Sequence, residues 1–178
     1  MEINLRNISL RPFKTTDVDD FIIWAGDEEV TKQLVTWKTI TCKEEALTFI
    51  KDVCIPHPWR RSICMEDDRS IGMVSIYPGL GDDRCRAHIG YAVSKVYWNK
   101  GIASRALKMA MLQVVKDYPD LVRLQTLVSV ENKASQRVLD KCGFVKEGLL
   151  RKYSYLKGEI KDVFIYGILS TELPSVDQ

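Results

Sequence analysis

Apolar positions recur at helical spacing in several stretches of the chain and alternate or cluster in most of the rest. Val18, Phe21, Ile22 and Trp24 follow Asp17 with a period of three to four, so Asp17 is expected to cap a helix that stops near Gly26. Asp27–Glu28–Glu29 reads as a solvated helix start. Thr41 is expected to cap a second helix, with Ala46, Leu47, Phe49, Ile50 and Val53 on its buried side, broken by Pro56–His57–Pro58. The longest helix is predicted over 102–117. Ala103, Ala106, Leu107, Ala110 and Val114 line one side of it, and Tyr118–Pro119–Asp120 ends it. A shorter helix over 132–142 carries Val138 and Leu139 and stops at Gly143.

Between these helices the pattern is that of strands. Ile3, Leu5, Ile8 and Leu10 form an extended segment that ends near Pro12. Strands are predicted over 60–65 and 71–77, joined across Glu66–Ser70, and over 84–93 after the turn Pro78–Asp83. Further strands are predicted over 122–130, 144–151 and 160–169, the last two joined across Lys157–Gly158–Glu159. A strand, a long helix and a strand in succession give a right-handed crossover and a parallel pair. The other connections read as antiparallel. The expected architecture is α/β: one mixed, mostly antiparallel sheet with helices on both faces.

Composition narrows the class. At 178 residues, with 46% apolar and 28% charged positions, the chain suits a single domain, expected over 8–170 with a frayed tail at 171–178. The net charge of +2 gives no support for a nucleic-acid partner. No apolar run approaches the ~20 residues that span a bilayer, and the first residues lack the form of a secretory signal. Cys42, Cys54, Cys64, Cys85 and Cys142 are odd in number and irregular in spacing. Reduced thiols, no metal site and a cytoplasmic location are the expectation.

The chemistry concentrates in Tyr91–Ser104, where a strand gives way to a short polar turn and then to an apolar helix. The first N–H groups of such a helix have no intrahelical partner, and the helix dipole adds positive charge there. With Lys95 and Lys100 nearby, the turn is a candidate cradle for phosphate or pyrophosphate. Neither a P-loop nor a dinucleotide fingerprint is present. A second polar opening, Asn132–Lys133–Ala134–Ser135, starts the helix that stops at Gly143. Its bland reading is an Asn cap with a solvated Ser. In the strand before the turn, alternation puts His88, Gly90 and Ala92 on one face and Ile89, Tyr91 and Val93 on the other.

Taken together these segments resemble the GNAT superfamily of acyl-CoA N-acyltransferases. Trp98–Asn99–Lys100–Gly101–Ile102–Ala103 takes the place of the family's pyrophosphate loop, with Trp98 in the position usually held by Arg or Gln. Leu10–Arg11–Pro12–Phe13, Ile89–Gly90–Tyr91 and Asn132–x–x–Ser135 before Gly143–Phe144 are similar to the ribosomal-protein N-terminal acetyltransferase branch. The resemblance implies a splay between the two parallel strands, with acetyl-CoA lying in it. Asn99, Lys100, Gly101, Ile102, Ala103 and Ser104 are then the pyrophosphate ligands, mostly through backbone N–H groups. Tyr91, Ala92 and Val93 pair with the pantetheine arm. Asn132 contacts the same arm, and Ser135 lies near the sulfur as a proton donor. His88 stands where relatives often carry Glu, and an imidazole with an ordinary pKa of ~6.5 suits a general base. Tyr153, Tyr155 and Tyr166 are alternative proton donors. The loop around Thr36–Trp37–Lys38 and the turn at Gly158 fall where such folds build the acceptor site. The implied activity is acetyl transfer from acetyl-CoA to a protein or peptide α-amine by direct attack in a ternary complex. A small-amine acetyltransferase, a non-catalytic acyl-CoA-binding module and a nucleotide-binding regulatory domain are the rival readings.

Overall fold

A computed structural model describes residues 3–34 and 37–173. Seven strands form one sheet in the order β1-β2-β3-β4-β5-β7-β6. They are β1 (Ser9–Arg11), β2 (Arg60–Cys64), β3 (Ser70–Pro78), β4 (Arg86–Val93), β5 (Arg123–Ser129), β6 (Val145–Leu156) and β7 (Glu159–Leu169). The helices are α1 (Val18–Ala25), α2 (Glu28–Thr31), α3 (Lys43–Phe49), α4 (Ile102–Asp117) and α5 (Lys133–Lys141). Every neighbouring pair is antiparallel except β4 and β5, which α4 connects and which run parallel. The mixed sheet expected from the element order is therefore present.

Strand alternation divides the core in two. Ala87, Ile89 and Val93 of β4 join Leu124 and Val128 of β5 and Tyr166 and Ile168 of β7 on one face. There they meet Ile102, Ala106, Leu107, Ala110, Met111 and Val114 of α4. The small residues let the helix lie close to the sheet, and each large side chain buried this way contributes about 1.5–3 kcal/mol. On the opposite face Met73 and Ala92 meet Phe21, Trp24, Ala46 and Ile50 from α1, α3 and its extension. The strand residues of this second cluster come from β3 and β4, so β5, β7 and β6 lie outside it.

Local departures from the sequence pattern have local causes. The expected extended segment from Ile3 is interrupted because Leu5–Asn7 form a 3-10 turn, with the Asn4 side chain accepting from the Arg6 amide. Asp17 precedes α1, but its carboxylate does not cap it. It accepts from the Lys14 amide and, at 2.9 and 2.7 Å, from two nitrogens of Arg11. The cap position of α3 is Cys42, and the amide and hydroxyl of Thr41 instead donate to Glu45. After Phe49 the helix widens into a π turn over Ile50–Cys54, which rotates Val53 outward and leaves it 39% exposed. Residues Gly81–Cys85 wind into a 3-10 turn, so β4 starts at Arg86. Strand β6 reaches Leu156, beyond the expected end at Arg151. The two-residue turn of Lys157 and Gly158, both left-handed, keeps Leu156 paired with Glu159.

Candidate active site

The parallel ladder between β4 and β5 is short. It pairs Arg86 with Arg123, Ala87 with Leu124 and His88 with Gln125, and then stops. Beyond His88, β4 continues to Val93 against β3, and β5 continues to Ser129 against β7. The two strands part, and the β5-facing edge of Ile89–Val93 has no strand beside it. Tyr91, Ala92 and Val93 lie on this edge, in the place expected of a segment that pairs with an extended ligand.

The top of the gap is closed by the turn before α4. Asn99 and Gly101 are left-handed, with φ of 59° and 78°. Gly101 is the cap residue of α4, no side chain caps the helix, and its first turn holds no acidic residue. The early N–H groups of Ile102, Ala103 and Ser104 are thus presented at the turn, with favourable dipole charge. This geometry fits a pyrophosphate group. The Lys100 amine donates to the Val96 carbonyl at 2.9 Å and lies 5.7 Å from the centre of the Tyr97 ring. Its charge stays at the turn while its head group braces the loop. Trp98 also has a local role: its indole N–H donates to the Val93 carbonyl at 2.7 Å and ties the turn to the end of β4.

The far side of the gap is formed by the start of α5. Asn132 accepts from the Ser135 amide at 3.0 Å, so it is a helix cap. Its side-chain NH₂ is not used by that bond. The Ser135 hydroxyl lies 2.6 Å from the hydroxyl of Tyr91, joining α5 to β4 across the opening. Burial pushes the Tyr91 phenol well above its ordinary pKa, against the opposing effect of the Ser135 hydrogen bond. Tyr91 therefore stays a neutral hydroxyl at physiological pH. Of the other tyrosines, Tyr153 and Tyr155 are exposed on β6, whereas Tyr166 is fully buried with no partner for its hydroxyl among the described residues.

His88 sits on the opposite face from Tyr91, where the ladder ends. Its Nε2 is 2.9 Å from Nε2 of Gln125. The Oε1 atom of Gln125 accepts from Arg123 Nε at 2.8 Å, and Arg123 donates to Glu147 at 2.8 Å. Gln125, Arg123 and Glu147 were not singled out by the sequence pattern. The available signal was Gly167 inside β7. A Cβ there would lie 2.7 Å from both terminal nitrogens of Arg123 and from Glu147 Oε1, so the ion pair crosses β7 only because residue 167 is glycine. His88 is held below the ordinary imidazole pKa by burial, then by Arg86 and Arg123. The space beside it is open: a Cβ on Gly90 would meet no heavy atom within 4 Å.

A cleft of about 350 Å³ lies at the end of β5, lined by Lys32, Gln33, Ser129, Asn132, Lys157 and Lys161 among others. The two segments expected to shape an acceptor site meet near it, since the Lys157 amine donates to the Trp37 carbonyl. Thr36 lies outside the described residues. Glu131 and Glu159 also line the cleft, and both pair with Lys161, at 3.0 and 2.6 Å. Among the described residues, no group of three His, Cys, Asp or Glu side chains is placed to hold a metal ion. No helix among them is long and apolar enough to cross a membrane.

Residues 7–145 match the family model described as the acetyltransferase (GNAT) domain. The chain belongs to the GNAT acetyltransferase family. It is 30% identical over 173 residues to an uncharacterized N-acetyltransferase, p20, of Bacillus licheniformis, covering 93% of this chain and 94% of that one. Among solved structures it is similar to Mycobacterium smegmatis RimJ in complex with CoA-disulfide, at 28% identity and a TM-score of 0.77, over 95% of this chain and 85% of that one. Its fold is also that of a spermidine N-acetyltransferase from Vibrio cholerae in complex with CoA and spermine, at a TM-score of 0.77 and 18% identity, over 94% and 98% of the two chains. As a GNAT acetyltransferase the chain is an enzyme, and acetyl-CoA is its acyl donor.

Proposed function

We propose that this GNAT enzyme acetylates the α-amine of a peptide or protein N-terminus by direct attack in a ternary complex. The observation that carries the proposal is the end of the β4–β5 ladder at His88 and Gln125, which leaves the edge of Ile89–Val93 open beside the uncapped start of α4. Acetyl-CoA lies along that edge. Its pyrophosphate takes the N–H groups of the turn Asn99–Ser104, and its pantetheine arm pairs with Tyr91–Val93 and meets the Asn132 side chain. Backbone N–H groups on β4 polarise the thioester carbonyl, where negative charge develops. Ser135, held by Tyr91, stands near the departing sulfur. The amine approaches from the open face over Gly90, beside His88.

The acceptor class follows from charge. A polyamine carries several positive charges and needs free carboxylates. The carboxylates lining the cleft, Glu131 and Glu159, are already paired with Lys161. A single amine on a polar backbone suits this surface better. The resemblance of the sequence motifs to the ribosomal-protein N-terminal acetyltransferase branch favours the same class. The test is a thioester-turnover panel in which acetyl-CoA is offered with peptides of varied first residue, with free amino acids and with spermidine. Turnover confined to peptides supports the reading. Preference for spermidine overturns it.

A further inference from the structure

We infer that His88 serves this site as a neutral hydrogen-bond donor to an oxygen of the acceptor, not as the base that removes its proton, and that Gln125, Arg123 and Glu147 are positioning residues that hold it so. The inference rests on the reading that places the acceptor over Gly90.

One chain of hydrogen bonds sets the state of His88. Glu147 binds two nitrogens of Arg123. That fixes the guanidinium, whose Nε points at Oε1 of Gln125. An arginine only donates, so the atom that it meets must be the amide oxygen, and the Gln125 NH₂ is left facing His88. Nε2 of His88 must then be an acceptor, because two N–H groups cannot share 2.9 Å. The neutral ring therefore carries its proton on Nδ1. Protonating Nε2 would set donor against donor, and Gln125 cannot turn over without breaking its bond to Arg123. The lone pair that a base would use is occupied, and the N–H that remains free is Nδ1.

The surroundings support the same state. The groups facing His88 are Arg86 on its own strand, Arg123 on β5 and Tyr77, its partner on β3. Arg86 is bound by Asp83, and Arg123 by Glu147. The Tyr77 hydroxyl accepts from Arg60, and its ring is met edge-on by His57. Among the described residues no carboxylate pairs with the ring of His88. The hydrogen bond of His88 among the described residues is on Nε2, which leaves Nδ1 without a partner there, and a Cβ on Gly90 would meet no heavy atom within 4 Å. An acceptor oxygen, such as the first carbonyl of a peptide, is the group that an unused N–H at this place recognises.

The reaction balances without a protonated histidine. The amine lone pair forms the C–N bond, and the carbonyl π pair moves to oxygen. Its return breaks the C–S bond. Nitrogen loses one proton to water and sulfur gains one, so amine and thioester become amide and thiol.

Two measurements separate this inference from the wider reading. The chain has two histidines, so the imidazole nitrogens of the free protein can be assigned by ¹⁵N NMR with a His57→Gln variant. His88 is expected as the Nδ1–H tautomer, with a pKa below 6.5. Gln125→Leu is expected to release Nε2, giving a mixed tautomer and a higher pKa. An Nε2–H tautomer, or titration at or above 6.5 in the unaltered protein, overturns the inference whether or not an acceptor has been found. In turnover of one peptide, His88→Asn keeps an N–H in the place of Nδ1 and is expected to retain activity within a fewfold. His88→Ala is expected to lose about tenfold, the scale of one hydrogen bond to a neutral group. Equal losses of about 10² or more in both variants, with removal of a pH limb, would show a base instead.

Discussion

His88 and Gln125 are the last pair of the parallel ladder, and their side chains meet at 2.9 Å at the point where β4 and β5 part. The gap between the strands therefore begins at a polar contact fixed from three strands. The position of this contact is a product of topology, since a parallel pair connected by α4 has no turn to keep its strands together.

The turn before α4 is predicted to be the main determinant of donor affinity. Gly101 is left-handed, and a Cβ there would sit 3.1 Å from Leu5 Cδ1. A β-branched residue in this conformation is strained by about 1–3 kcal/mol. Gly101→Val is expected to keep the fold and to weaken CoA binding, because the N–H groups of the turn lose their alignment. Calorimetry with CoA checks it, and unchanged affinity in a folded variant would remove the pyrophosphate assignment.

Asn132 and Ser135 separate capping from catalysis. Loss of the Asn132 cap costs about 1 kcal/mol of stability. Asn132→Ala is expected to show that shift and, in addition, a higher KM for acetyl-CoA or a lower kcat. Tyr91→Phe removes the hydroxyl 2.6 Å from Ser135 and is expected to lower kcat with little change in KM for the acceptor. Melting shifts accompanied by unaltered kinetics in both variants would return these residues to structural roles.

Gly167→Ala places a methyl group 2.7 Å from the side-chain ends of Arg123 and Glu147, which are its nearest neighbours. The side chains can move aside, and an ion pair of this exposure is worth at most about 1 kcal/mol. The variant is therefore expected to be nearly as stable as the parent while the tautomer of His88 becomes mixed. A loss of more than about 3 kcal/mol on chemical denaturation would mean that the strand itself cannot accept the methyl group.

Acid is predicted to destabilise the protein through both histidines. The His57 pKa is lowered to about 4 by burial and then by Arg60, and His88 is also lowered. The unfolded chain takes up these protons near ~6.5, before the folded one does. Stability is then fully present above ~6.5 and falls as pH drops toward 4. His57 is partly solvated, so its share, after screening, is about 1–2 kcal/mol. Urea denaturation at several pH values checks this, and His57→Gln is expected to flatten the slope. A stability that rises on acidification from 6.5 to 4 would contradict it.

Much of this was legible in the chain. Helical spacing located α1 and α4, and the apolar face of α4 is the one that packs. The turn Asn99–Gly101 before an apolar helix marked the start of α4, which no side chain caps, and alternation put His88 and Tyr91 on opposite faces. What alternation does not carry is which partner a side chain meets across a parallel ladder. Gln125 and Arg123 become neighbours of His88 only through register, and Glu147 only because Gly167 lets a side chain pass over β7. Asp17 read as a cap from its position, but a long-reaching Arg11 claims its carboxylate. The π turn after Phe49 left no mark in the periodicity, and Val53 was misplaced by it.

The central claim is the acceptor. A peptide that carries both a free N-terminus and an internal lysine is offered with acetyl-CoA, beside the same peptide with a blocked N-terminus and beside spermidine, and the products are mapped by mass spectrometry against the thiol released. Acetylation at the α-amine, with one acetyl group per thiol and little turnover of the blocked peptide or of spermidine, is the predicted result. Acetylated spermidine as the dominant product, or an acetyl group on the lysine of the blocked peptide at an undiminished rate, would contradict it.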